Sequence, residues 1–139
     1  MNDPHNLQRF LDAQASVYPQ VLAELRAGSK RGHWMWFAFP QIAGLGRSET
    51  ARSFAIASRA EAAAYLEHPV LGPRLRECCH LVTLVEARSA RQIFGTPDDM
   101  KFRSSLTLFA AVASDNAIFT NALRKYFGGE HDGLTLVRL

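Results

Sequence analysis

The chain has 139 residues, 47% of them hydrophobic and 21% charged, with a formal net charge of +3. That length suits one domain with a core of its own, and the composition excludes a disordered or fibrous chain. Lys and Arg are scattered rather than massed, so nucleic acid is not an expected partner, and no apolar run approaches the roughly 18 residues of a membrane span.

The start, Met1-Asn2-Asp3-Pro4-His5, has no basic stretch leading into an apolar run, so no secretory leader is read there. Cys78 and Cys79 are adjacent, and pairing them would need a strained ring that staples nothing distant. Free thiols in a reducing cytoplasm are the expectation.

From Leu7 to Leu25, apolar residues recur at helical spacing: Leu7, Phe10 and Leu11, then Val17, Tyr18, Val21, Leu22 and Leu25. Pro19 divides the run into two helices and Gly28 ends the second. Gln14 falls on the apolar face and reads as a buried amide bonded to neighbouring backbone. Arg26, Lys30 and Arg31 form the densest basic patch, placed to face the C-terminal carbonyls of the second helix rather than a phosphate backbone.

The next segment, His33-Trp34-Met35-Trp36-Phe37-Ala38-Phe39-Pro40-Gln41, holds both tryptophans and leads into Gly44-Leu45-Gly46-Arg47-Ser48. Such aromatics fill cores and also wall small-ligand pockets. His33, Gln41, Arg47 and Ser48 add donors and acceptors that a purely apolar core excludes. His33 reads either as a structural hydrogen-bonding residue or as a general base. Gly44, Gly46 and Ser48 read as a tight turn ending in a serine cap, or as backbone amides that hold an anion where a helix starts. The spacing is neither a Walker motif nor a dinucleotide fingerprint. The histidines lie far apart in no ligand pattern, so no metal is expected.

Ser58-Arg59-Ala60-Glu61 has the form of a capping box, with Ala62 to Leu66 propagating the helix and His68-Pro69 closing it. Another helix follows Pro69, tolerating Pro73 in its first turn and burying Leu71, Leu75, Cys78, Cys79, Val82 and Val85. The cysteines are core fillers there. Thr96-Pro97-Asp98-Asp99 reads as a helix start with a hydroxyl cap and two carboxylates at the positive end of the dipole, running to about Ser114. Steps of about 100° put Phe102, Leu106 and Phe109 on its buried side, Asp98 and Ser105 beside them, Lys101 at the edge, and Arg103 and Thr107 facing away. Asp98, Lys101 and Ser105 so aligned reach a pocket floor, with Lys101 gripping an anion or pairing with Asp98; the alternative is an ion-paired first turn. Asp115 and Asn116 open a last helix through Phe119, Leu123 and Phe127 to Gly128-Gly129, and only Leu134, Leu136 and Leu139 pass for a strand. The fold class expected is all-α, residues 1–139 forming one domain of six to eight helices. No nucleophile motif surrounds a serine or cysteine.

Lys30-x-x-His33-Trp34-Met35-Trp36-Phe37-x-Phe39-Pro40-Gln41, Gly44-Leu45-Gly46-x-Ser48, His68-Pro69-Val70-Leu71-Gly72 and Phe94-Gly95-x-x-Asp98-Asp99-x-Lys101-x-x-Ser104-Ser105-x-Thr107-Leu108-Phe109 together resemble the domain-of-unknown-function 1810 family, over about Phe10 to Leu136. Gly32 departs from the pattern, standing where a small polar residue is expected. The resemblance implies a multihelical single domain and brings no activity. The name calpastatin carried by some relatives fits poorly, because an inhibitor disordered until bound would be polar, repetitive and poor in aromatics. The resemblance also favours a site shared by the two polar segments.

The functional expectation is therefore a cytoplasmic domain that binds or hydrolyses a small anionic, nucleotide-like metabolite between the His33 to Ser48 segment and the Asp98 to Ser105 turn. Trp34 or Trp36 stacks on a ring; Gln41, Ser48, Lys101, Ser105 and the Gly44 to Gly46 amides hold polar and charged groups; His33 carries a proton and Asp98 orients water. The rival expectation is a protein-interaction module whose motif residues are structural. Neither a cofactor nor an oligomeric state is specified by these residues.

Overall fold

The regular rhythm of apolar residues produces ten helices in the computed structural model, which describes residues 2–139 and leaves Met1, the first residue of the expected leader-free start, outside. They are α1 (Gln8–Gln14), α2 (Tyr18–Ala27), α3 (Met35–Ala38), α4 (Glu49–Ser53), α5 (Arg59–Glu67), α6 (Leu71–Leu84), α7 (Ala90–Phe94), α8 (Asp98–Val112), α9 (Ala117–Phe127) and α10 (Gly133–Leu136). The protein is all-α as expected. The helices beyond the expected six to eight are short turns that sequence periodicity does not register, such as α3, α4, α7 and α10. Among the described residues β pairing is confined to one parallel bridge, Ile42 with Ile56.

The run from Leu7 to Leu25 breaks ahead of Pro19, which sits in the first turn of α2, where its missing N–H costs nothing. Gly28 ends α2 in the left-handed conformation, φ 67°, a state that glycine adopts without the Cβ penalty. Gln14 is buried: its amide donates to the Phe37 carbonyl at 2.8 Å and its oxygen accepts from Arg74 Nη1 at 3.2 Å. The Ser58 hydroxyl accepts from Glu61 N, but the Glu61 carboxylate reaches Ala57 N and Arg9 instead of closing a full capping box. Both α5 and α6 behave as expected around His68-Pro69, and Gly72 permits their close approach, since a Cβ there would stand 2.0 Å from the Leu66 carbonyl oxygen. His68 Nδ1 accepts from Val70 and Leu71 N–H at 3.1 and 3.2 Å, satisfying donors at the start of α6.

Helix α8 is the central element, packed against α5, α7, α9 and α10. An aromatic cluster crosses it: Phe39 meets Phe94 and Phe102 edge-on, and Phe94 stacks on Phe102 with ring centroids 4.6 Å apart. Three local expectations need correction here. Thr96 does not cap α8; its hydroxyl goes to Asp99 Oδ1 at 3.1 Å, and the cap position falls to Pro97. Thr107 is fully buried rather than outward, and Arg103 is half-buried, because the chain after α9 folds back over that face. Arg103 donates to the Glu130 and His131 carbonyls, and Thr107 Oγ1 accepts from Asp132 N at 2.9 Å. The stretch expected as a strand is α10, in which Leu134 and Leu136 face out and Thr135 is buried.

Candidate functional site

One carboxylate shapes the loop that carries the aromatic motif. Glu24, near the end of α2, accepts at Oε1 from Arg31 N (2.7 Å), Gly32 N (2.9 Å) and the Trp34 indole (2.9 Å), and at Oε2 from Gln20 (2.7 Å). Desolvation by itself would raise this carboxyl, but the two backbone N–H groups, with Gln20 and Trp34, outweigh it and bring it down to about 2. Gly32 is confined by the same clamp, since a Cβ would meet Trp34 and Gln20 at 2.8 and 2.9 Å. Glu24 carried no motif signal in the sequence; only its place one turn before Gly28 hinted that it faces the following loop.

The loop then docks on α8. Lys30, whose side chain is only 7% exposed, pairs with Asp98 Oδ2 at 2.9 Å, donates to the Gly32 carbonyl at 2.6 Å and lies 5.1 Å from the Trp34 ring centre. Its backbone N–H reaches the Ile93 carbonyl of α7 at 2.8 Å. Lys30 therefore ties the loop to α7 and α8 instead of facing the carbonyls of α2. Lys101 stands 3.6 Å from the other Asp98 oxygen and 5.0 Å from the centre of the Trp36 ring. The two polar segments thus meet through Asp98 and Trp36.

Beside this junction lies an open groove of about 380 Å³ lined by Gln41, Leu45, Gly46, Pro97, Met100, Lys101, Ser104, Asp132 and Leu134. The Ile42 to Ile56 bridge fixes one wall, α8 supplies the floor and α10 the other wall. Gly46 lies close against α4, where a Cβ would come 2.5 Å from that of Ala51. A cavity with room for about one water, walled by Trp36, Gln41 and Gly46, adjoins the groove.

Of the residues expected at a site, Gln41, Gly46 and Lys101 share the groove. Trp36 supports Lys101 from beneath. Trp34 is buried, with its indole N–H engaged by Glu24. Gly44 is covered by the Arg138 guanidinium, and Ser48 caps α4 through Ala51 N at 3.0 Å. Ser105 is buried away from the groove with its hydroxyl unpartnered among the described residues. His33 is exposed and does not line the groove, while Asp98 faces the two lysines. Cys78 and Cys79 are buried and reduced, and burial pushes the Cys78 thiol up to about 12, which suits core packing and not nucleophilic chemistry.

The residues that sequence reading missed are Ser104 and Asp132. Stepping three positions from Lys101 reaches Ser104, so helical phase held that signal. Asp132 comes from 28 positions further along the chain and had no local signature.

A family model described as "Protein of unknown function (DUF1810)" matches residues 4–139. A crystal structure of the conserved hypothetical protein Rv1873 from Mycobacterium tuberculosis is similar over 99% of this chain and 98% of that chain, with a TM-score of 0.98 and 55% sequence identity. No curated protein matches the chain.

Proposed function

The chain belongs to the DUF1810 family, a membership that brings a fold without an activity, and from that premise we propose that it is a binding domain whose groove takes a small metabolite by its anionic group. The supporting observation is the state of Lys101. Asp98 is closer to Lys30, at 2.9 Å, than to Lys101, at 3.6 Å, so one carboxylate is divided between two ammonium groups and Lys101 keeps uncompensated charge where it lines the groove. Trp36 beneath it restrains the side chain and reinforces the positive potential's position. The nucleotide-like ligand remains one form of this reading, with Gln41 as a further polar contact and the apolar Leu45 and Leu134 against the ligand body. A proton relay through His33 has no support in the groove's lining, so the proposal is binding rather than hydrolysis.

A cytoplasmic location belongs to the same proposal and is supported by the two free, buried thiols. Among the described residues no helix is long and apolar enough to cross a membrane. A thermal-shift screen of nucleotides, sugar phosphates and amino acids on the full chain tests the reading. At least one compound should raise the melting temperature of the wild type and lose that effect with Lys101→Met. Hits that survive Lys101→Met, or a screen without hits, would contradict it.

A second reading, a protein-binding surface, has one observation in its favour: Leu134, Leu136 and Val137 on and after α10 are 64%, 48% and 80% exposed, next to the exposed Met100 across the groove. Sedimentation velocity over a concentration series, wild type against Val137→Lys, tests whether that surface joins two copies.

A further inference from the structure

The groove holds a carboxylate as well as an ammonium group, and the carboxylate is anchored on one side only. Asp132 Oδ2 accepts from the Ser104 hydroxyl at 2.8 Å and the Thr135 hydroxyl at 2.5 Å. Its backbone N–H donates to Thr107 Oγ1 at 2.9 Å, and that hydroxyl in turn donates to the Arg103 carbonyl. Ser104, Thr107 and Thr135 are all buried, so the groups that position Asp132 are themselves fixed by packing. Both side-chain donors converge on Oδ2. Among the described residues no lysine, arginine or histidine is paired with Asp132.

A carboxylate with hydroxyl support, a spare oxygen and no cation partner among the described residues is a preorganised acceptor for a positively charged donor. Lys101, one helical turn before Ser104 on α8, lines the same groove. Lys101 and Asp132 are not paired with each other, so the groove presents one ammonium and one carboxylate and is dipolar rather than cationic. A dianionic phosphate would find one ammonium already shared with Asp98 and would stand near an uncompensated carboxylate, a like-charge juxtaposition that disfavours it. A molecule that carries both a carboxylate and an ammonium group meets a complementary group for each. The rest of the lining, Leu45, Pro97, Met100 and Leu134, suits an apolar side chain branching from the atoms that carry the two charges.

We propose that the ligand is a small zwitterion, an amino acid or amino-acid derivative with a free ammonium and a free carboxylate: the carboxylate binds Lys101, the ammonium binds Asp132, and an apolar side chain lies against Leu45 and Leu134. This rests on the reading of the groove as a binding site with Lys101 as its anion contact.

The test is an amide NMR titration of the labelled full chain with the twenty L-amino acids, their N-acetyl and carboxamide derivatives, AMP and ribose 5-phosphate. The expected result is saturable shifts at Gly46, Lys101 and Ser104 with at least one apolar amino acid, weakened tenfold or more by either N-acetylation or amidation. Asp132→Asn, which keeps an oxygen for Ser104 and Thr135, should weaken the free amino acid at least tenfold and leave the weak N-acetyl derivative unchanged. If that variant does not fold, the derivative series on the wild type decides alone. Saturation of the same amides by AMP or ribose 5-phosphate and by no amino acid would overturn the zwitterion and leave the groove as an anion site. No shift at these amides with any probe would overturn both.

Discussion

Glu24→Gln isolates the charge that holds the aromatic loop, because the replacement keeps the shape and one oxygen while removing the carboxylate. Three N–H donors converge on Oε1 in the wild type, one of them the indole of the buried Trp34. Hydrogen bonds to a charged acceptor exceed neutral ones by roughly 1 kcal/mol each, which sets an upper figure of about 3 kcal/mol. The depressed carboxyl gives an independent measure. A shift from 4.5 to about 2 corresponds to roughly 3 kcal/mol in full, and to about 1–2 kcal/mol once solvent screening of a partly exposed group is allowed for. Glu24→Gln should therefore lower stability by about 2 kcal/mol at pH 7.

The sign of the pH dependence follows from the direction of the shift. A carboxyl depressed in the folded state contributes fully above its unfolded value of 4.5, and that contribution drains away as pH falls through about 2. Urea unfolding of both proteins at pH 7, 5 and 3 should give nearly equal differences at the first two and less than about half that difference at pH 3. An unchanged midpoint at pH 7, or a difference as large at pH 3 as at pH 7, would show that the Glu24 charge does not hold the loop.

Other substitutions probe the scaffold. Arg9 uses its whole guanidinium, donating to the carbonyls of His5, Asn6, Ser53 and Ala55 and to Glu61 Oε2, so Arg9→Ala should cost about 3–5 kcal/mol in urea unfolding and leave the buried Glu61 uncompensated. Gly72→Ala places a Cβ 2.0 Å from the Leu66 carbonyl oxygen, a clash with backbone that should cost at least about 3 kcal/mol and show as a large fall in melting temperature. Cys78 and Cys79 should resist iodoacetamide in the native protein at pH 8 and react promptly in urea, as read by intact mass.

Features dictated by local chemistry were legible in the sequence. Gly28 and Gly128 end α2 and α9 because each takes a left-handed conformation that glycine alone adopts freely. Ser58 and Ser48 cap α5 and α4 because a hydroxyl ahead of a helix satisfies an orphan N–H. Helical phase failed on Arg103 and Thr107 for a physical reason: a polar residue that pins another segment looks, in sequence, like one that faces water. The same limit hid half of the groove. Lys101 and Asp98 are a turn apart and announced their pairing, whereas Asp132 joins Ser104 only after the chain folds back over α8. Leu134 and Leu136 read as a strand because alternation is the only local signal there, yet the buried residue between them is Thr135, held by Asp132.

The groove's role as a binding site is tested most directly by soaking crystals of the chain with the compound that gives the largest thermal shift. Difference density is expected between Gln41 and Leu134, with a negatively charged group within about 3 Å of Lys101 Nζ. Ordered density for that compound elsewhere on the protein, with the groove unchanged, would contradict it.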